Sequence, residues 1–491
     1  MNTPLRKVAL AMMGMIVLLL ANLTWIQVVD ADDYRADPRN ERVLLDEYGR
    51  QRGQIIAQGQ PLASSVERPE SELRFQRTYL NGPLYAPVTG YYSLVYGSGG
   101  VEDAMNDVLN GSDGRLFVRR LSDLITNRDP SGGSVALTID PRVQETAYAE
   151  LTDAGYTGAV VALRPETGEI LAMVSTPSYD PGELANVDGR VQRDAWARFN
   201  DEANEVPLTN RATQGIYPPG STFKLVVSAA ALEGGDVTPE TELTAASSIQ
   251  LSGTSTDLEN FAGRQCGDGD TVQLTEALVR SCNTAFAELA AQIGEDRLRE
   301  QAGRLGIGQA DLTIPTPVAA STIGDIPDTA ALQQSAIGQR DVALTPLQDA
   351  VVAATIANGG VRMEPQLVRE VLAPDLQVID DFEADEAERA MSEETAGQLT
   401  EMMVAAEDSY QGSGGNDLGI AAKTGTAEHG ADPKNTPPHT WYVAFAPADD
   451  PQVAICVFVE DGGNRSLDAT GGSRAAPIGR AVIEAALQGG P

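Results

Sequence analysis

The stretch Tyr217-Pro218-Pro219-Gly220-Ser221-Thr222-Phe223-Lys224 decides how this chain is read. Two prolines and a glycine break the backbone. A helical pattern then begins, with Phe223, Val226, Val227 and Ala230 recurring at helical spacing. Ser221 and Lys224 stand three positions apart, which on a helix is one turn along the same side. A hydroxyl, a weak nucleophile, thereby lies within reach of an amine able to take its proton. On the helical wheel both fall away from the apolar stripe. That predicts a helix packed by one face, presenting the pair at a cleft. Taken alone, such a pair most often marks an ordinary exposed helix start.

Two later signals change the balance. Ser281-Cys282-Asn283 follows Ser221 by 60 residues, and Lys423-Thr424-Gly425-Thr426 follows Ser281 by 142. Singly, the first reads as a polar turn and the second as a strand end with a turn glycine. Acyl transfer from a serine needs a hydroxyl, a base, oxyanion donors and a proton for the leaving amine. Ser221 and Lys224 fit the first two roles. A lysine serves as base only when burial or another cation lowers its pKa, and Lys423 is the candidate cation. Ser281 suits a proton relay, Asn283 carries an amide able to hold a substrate amide, and the backbone at Thr426 offers a donor from a strand edge. The ordered set is the signature of penicillin-interactive serine enzymes.

Further stretches agree: Arg52-Gly53-Gln54-Ile55, Asn210-Arg211-Ala212, Ile337-Gly338-Gln339, Leu344-Thr345-Pro346-Leu347, Ala357-Asn358-Gly359-Gly360, Gly471-Gly472 and Ala475-Ala476-Pro477. With the three motifs they make the whole chain resemble a class B penicillin-binding protein, of the actinobacterial penicillin-binding protein A type. The resemblance implies an α+β transpeptidase fold, an antiparallel sheet packed between helices. A smaller, mainly β or mixed N-terminal domain and one transmembrane helix would precede it. It implies a D,D-transpeptidase that cross-links peptidoglycan stem peptides in cell division and is acylated by β-lactams. In that reading Ser221 attacks the D-Ala-D-Ala carbonyl, Lys224 is the base, Ser281 shuttles the proton and Asn283 binds the donor amide. Lys423 sets the electrostatics. Thr424, Gly425 and Thr426 line the substrate, and the backbone N–H groups of Ser221 and Thr426 form the oxyanion hole. No cofactor and no metal are expected.

The chain has 491 residues, 42% of them hydrophobic, enough for two or three domains with a sizeable core. Its 70 acidic against 35 basic residues give a net charge of −35. That argues against nucleic-acid binding, which needs basic clusters, and fits a soluble, self-repelling ectodomain. Arg6 and Lys7 precede an apolar run from Val8 to Val29, and Asp30, Asp32 and Asp33 follow it. As a helix the run is about 33 Å long, matching a bilayer core of about 30 Å. Charge bias leaves the N-terminus cytoplasmic and the bulk of the chain extracytoplasmic. A cleaved signal peptide is the alternative, disfavoured by the length of the run. The expected division is an anchor at 1–29, a non-catalytic pedestal or dimerisation-type domain at 30–136, and a transpeptidase domain at 137–491.

Within the pedestal, Arg42 to Leu45 reads as a strand and Val118 to Ile125 as a helix, with a breaker cluster at Asp129 to Gly133. About 107 residues is short for a glycosyltransferase domain; the pedestal is either a rigid spacer or a docking surface for division or elongation proteins. Strands are expected at Gly158 to Leu163, Glu169 to Ser175, Ile420 to Thr426, Trp441 to Phe445 and Val453 to Val459. Ser392 reads as the N-cap of a helix striped by Leu399, Met402, Met403 and Ala406, and acidic Asp380 to Glu388 as a solvated loop. Cys266 and Cys282 are either a disulfide pinning the Ser281 motif or two buried thiols. Cys456 reads as core packing, and His429 and His439 as structural groups at the cleft rim. Two rivals stay open: a D,D-carboxypeptidase or β-lactamase-type hydrolase, and a catalytically silent β-lactam sensor or division scaffold.

Overall fold

The computed structural model describes residues 2–29, 48–68, 73–116, 131–310, 312–411, 416–463 and 465–488. The strand expected at Arg42 to Leu45 and the helix at Val118 to Ile125 lie outside the described residues. Pro4–Gln27 is a helical span of 24 residues with mean hydropathy 2.1 and none of it buried, long and apolar enough to cross a membrane.

Five antiparallel strands form the main sheet, in the order Ala421–Ala427, His439–Ala446, Val453–Val459, Gly158–Leu163, Ile170–Thr176. The strands read as nearly continuous apolar runs because both faces are covered. Val160, Ala162, Tyr442, Ile455 and Val457 pack under the helices Pro141–Asp153 and Gly471–Leu487. Alternate residues Val161, Trp441, Val443, Cys456 and Phe458 face the larger core that contains the helix Lys224–Glu233. Period-two alternation thus feeds two cores from one sheet.

A second sheet of six strands runs Val378–Asp381, Val368–Leu372, Ser134–Leu137, Ile55–Ala57, Gln60–Glu67, Phe75–Tyr79. It draws strands from both sides of residue 136, and Ser134–Leu137 runs through that position. Backbone hydrogen bonds therefore tie the strands at 55–79, through Ser134–Leu137, to those at 368–381. The acidic stretch read as a loop instead holds exposed strand residues: Glu386–Arg389 pairs with Val361–Met363. Charged side chains are tolerated on Glu386–Arg389 because that strand is mostly exposed, while its partner buries Arg362.

Arg52 is buried and paired with Glu102. Glu102 is 0% exposed and sits between two guanidinium groups, 2.7 Å from Arg52 Nε and 2.6 Å from Arg77 Nε. Burial opposes its charge, yet the two arginines outweigh that and hold its carboxyl below the usual range.

Candidate active site

Ser221 lies on a tight 3-10 turn, Gly220–Phe223, that runs straight into the helix Lys224–Glu233. This helix is not packed by one face as expected: Lys224 through Leu232 are all buried. The small residues Ser228 to Ala231 let neighbouring helices close over it, so the lysine is enclosed rather than displayed. Gly220 has φ +58°, and a Cβ there would come within 2.6 Å of Thr426 O. The turn bearing Ser221 therefore presses directly on the Lys-Thr-Gly strand, and only glycine fits. Gly425 meets the same contact from the other side, since its Cβ would lie 2.6 Å from Pro219 O.

Lys224 Nζ lies 3.0 Å from Ser221 Oγ, 2.7 Å from the Ser281 carbonyl, 3.3 Å from Ser281 Oγ and 2.8 Å from Asn283 Oδ1. It is 0% exposed, and burial first, then Lys423, pushes its pKa well below the ordinary lysine value. Lys423 Nζ donates to Ser281 Oγ at 2.9 Å and to the Thr424 carbonyl at 2.9 Å. Ser281 Oγ thus touches both amines. Asn283 Nδ2 donates to Glu259 O at 2.9 Å, which fixes the amide with its oxygen towards Lys224.

The Ser281 motif is a helix–helix corner. The helix Leu274–Val279 ends there and Asn283–Arg304 begins. Ser281 N–H donates to Leu278 O at 3.1 Å and Cys282 N–H to Ala277 O at 2.9 Å, the paired closure of a left-handed C-terminal cap. Glycine usually occupies that position; Ser281 holds it at φ +59°. Cys282 is bonded to Cys266, 16 residues earlier in the chain, and both are buried. The disulfide ties the corner to the loop whose Cys266 N–H donates to Ala245 O at 2.9 Å.

Strand alternation sets Thr424 and Thr426 on one face of Ala421–Ala427, and Lys423 with Gly425 on the other. Thr426 Oγ1 accepts from Gly471 N–H at 3.3 Å, at the start of the C-terminal helix. The candidate residues of all three motifs therefore meet at one edge of the main sheet.

Other groups at the site lie outside the three motifs. Tyr410 OH is 3.4 Å from Lys423 Nζ, and the Phe286 ring centre is 5.5 Å from Lys224 Nζ. Trp441 Nε1 donates to Pro218 O at 3.0 Å, and Gly220 N–H to Gly338 O at 3.0 Å. Topology, not spacing, brings them together. His429 and His439 stack with ring centres 3.6 Å apart beside Asp461. His439 Nδ1 accepts from Asp461 N–H at 3.2 Å, and His429 Nε2 lies 2.8 Å from Pro437 O. His429 Nε2 also lies 2.9 Å from Asp461 Oδ1, and the three side chains offer ligand atoms within 4.8 Å of one another. Burial, then His429, pushes His439 down to about 3, so it is neutral at physiological pH.

Comparison with known proteins agrees with this geometry. Residues 158–484 match the penicillin binding protein transpeptidase domain, and residues 52–135 the penicillin binding protein A dimerisation domain. The chain is 56% identical to the peptidoglycan D,D-transpeptidase PbpA of Mycolicibacterium smegmatis and 54% identical to that of Mycobacterium tuberculosis, each over 100% of both chains. It superimposes on the ceftriaxone acyl-enzyme complex of penicillin-binding protein A from M. tuberculosis with TM-score 0.87 and 53% identity, covering 90% of this chain and 100% of that one. The penicillin G acyl-enzyme complex of that protein gives TM-score 0.86 over 89% of this chain and 100% of that one. A transpeptidase-domain match over most of the chain, and identity above one half along its full length, place it in the class B penicillin-binding protein family, of the penicillin-binding protein A type.

Proposed function

We propose that this chain is a peptidoglycan D,D-transpeptidase that works through an acyl-enzyme on Ser221 and is blocked when a β-lactam acylates the same hydroxyl. The observation that carries the mechanism is the set of partners around Lys224 Nζ. Two of them, the Ser281 carbonyl and Asn283 Oδ1, can only accept. A neutral amine has two N–H bonds, which those acceptors use up. Its lone pair is left for the Ser221 hydroxyl 3.0 Å away. Burial and Lys423 favour that neutral form. Lys224 therefore acts as general base towards Ser221.

The steps balance with these groups alone. Ser221 Oγ bonds to the penultimate D-Ala carbonyl carbon while its proton passes to Lys224. The tetrahedral intermediate collapses, the C–N bond breaks, and the leaving D-Ala amine takes a proton relayed from Lys224 through Ser281 Oγ. The acceptor amine of a second stem peptide then attacks the ester carbon and gives up a proton through Ser281 Oγ to Lys224; the new C–N bond forms, the Ser221 Oγ–C bond breaks, and Lys224 returns the proton to Ser221 Oγ. Backbone N–H groups of Ser221 and Thr426 would hold the oxyanion, consistent with the close packing of Gly220 on Thr426. Thr426 Oγ1 already accepts from Gly471, so its own hydrogen is available to a substrate or β-lactam carboxylate. The N-terminal end of the helix Gly471–Leu487 adds a favourable field for that anion. Asn283 and Thr424 would hold the donor peptide beside it.

In this reading residues 1–29 anchor the chain in the cell membrane by a single pass, 30–136 form the pedestal, and 137–491 do the chemistry outside the cytoplasm. A role at the division site, with division proteins docking on the pedestal, belongs to the same proposal. Kinetics with a D-Ala thioester and an added amine acceptor test it. The transpeptidase reading expects aminolysis to outcompete hydrolysis; product formed only by hydrolysis would favour the carboxypeptidase reading. Failure of Ser221→Ala to support growth, with expression and localisation intact, would exclude a silent scaffold.

A further inference from the structure

Behind the nucleophile turn lies a buried carboxyl that the mechanism above leaves unused. The helix Pro346–Ala357 is capped by Thr345, whose Oγ1 accepts from Gln348 N–H at 3.0 Å. Asp349 follows one residue later and is 0% exposed. Its Oδ2 is 2.8 Å from Thr222 Oγ1, and Oδ1 has no hydrogen-bond partner. Thr222 Oγ1 is also 3.2 Å from the Pro219 carbonyl. No lysine or arginine pairs with Asp349 among the described residues. On the elements packed against this helix, Arg362 pairs with Glu364 and Glu407 with Arg480. Cys456, on Val453–Val459, is the titratable group that senses Asp349; burial and that carboxyl push its thiol up, so it stays protonated.

Hydrogen counting decides the charge state. Thr222 has one hydroxyl hydrogen for two oxygen neighbours. If Asp349 is ionised, that hydrogen goes to the carboxylate and the Pro219 carbonyl loses it. If Asp349 is protonated, its O–H donates to Thr222 Oγ1 and Thr222 donates to Pro219 O. Only the protonated form satisfies both contacts, and an unpaired buried carboxylate is costly. Burial agrees, raising the Asp349 pKa to about 7 despite the Thr222 hydrogen bond.

We propose that Asp349 is a positioning residue for acylation, acting in its neutral form as the head of a hydrogen-bond chain through Thr222 to Pro219 that fixes the turn bearing Ser221. The chain closes the inner side of this turn. Its outer side is held by Trp441 on Pro218 O and by Gly338 on Gly220 N. The proposal rests on Ser221 being the nucleophile, which a separate control addresses: fluorescent-penicillin labelling must vanish in Ser221→Ala.

The test measures acylation rate constants of the full-length protein with that reagent, with melting curves to confirm folding. Asp349→Asn, a neutral donor of the same shape, should acylate within about twofold of wild type at about pH 6. Asp349→Leu and Thr222→Val should be about tenfold slower, the effect of one neutral hydrogen bond, and Thr222→Ser should recover the rate. Raising the pH to about 9 ionises the native carboxyl, so the ratio of Asp349→Asn to wild type should climb. If Asp349→Leu does not fold, the Thr222→Val and Thr222→Ser pair decides. Wild-type rates in folded Thr222→Val overturn the positioning role, and a ratio constant across that pH range overturns the neutral donor.

Discussion

Replacing Ser281 separates its chemistry from its backbone. At φ +59° the residue sits in the left-handed region, which costs a side chain about 1–2 kcal/mol. Ser281→Ala removes the hydroxyl that touches both lysines and keeps that strain. Ser281→Gly removes the same hydroxyl and relieves the strain. Glycine gives back roughly 0.5–1 kcal/mol through its greater freedom in the unfolded chain, leaving a net gain of about 1 kcal/mol over alanine. In a domain this large that is about 2 °C in melting temperature. A proton relay contributes about 100- to 10,000-fold, so both variants should label with fluorescent penicillin at least about 100-fold more slowly than wild type. Thermal melting and labelling rates on the same preparations read the two effects. Equal melting temperatures for glycine and alanine would show that the corner is not strained. Near-native labelling by either variant would remove Ser281 from the proton path.

Lys423→Met should move the acid limb of the acylation profile to higher pH, because Lys224 loses the neighbouring cation that helps keep it neutral; an unmoved limb contradicts that coupling. The same lowered pKa has a stability consequence. The folded protein binds the Lys224 proton more weakly than the unfolded chain, so stability rises with pH from the lowered value up to the ordinary lysine value. Lys224→Met should flatten that slope in denaturant titrations, and an unchanged slope counts against it. Reducing the Cys266–Cys282 bond opens a loop of 16 residues and should cost about 3 kcal/mol, with slower penicillin labelling as the Ser281 corner loosens. Reduced protein that keeps both properties refutes the pinning role. Glu102→Gln leaves two buried guanidinium groups without their anion and should destabilise the pedestal by about 3–5 kcal/mol in urea titrations. A loss below about 1 kcal/mol would mean the cluster is solvated like a surface pair.

The strands of the main sheet were legible because each is a short apolar run bounded by turn residues. The three motifs were legible as an ordered set of hydroxyls, amines and an amide, and the fold brings these side chains within hydrogen-bond reach of one another. Ser392 was legible too, its Oγ accepting from Thr395 N–H at 3.1 Å as a helix cap should. What escaped depends on tertiary partners. The burial of every residue from Lys224 through Leu232 follows from helices packing on the polar-looking side, which a helical wheel cannot show. The left-handed Ser281 looks like any polar turn residue until its two capping bonds are seen. Asp349 reads as a helix N-terminal acid, and only the fold brings it under Thr222. The sheet that crosses residue 136 pairs strands more than two hundred positions apart, a distance at which no local pattern speaks.

The central claim is that Ser221, activated by Lys224, carries the acyl group. Peptide mapping by mass spectrometry after incubation with penicillin G tests it most directly. The adduct should fall on the peptide containing Ser221, should vanish in Ser221→Ala, and should form far more slowly in Lys224→Met. An adduct on another residue, or one that persists unchanged in Ser221→Ala, would contradict the account.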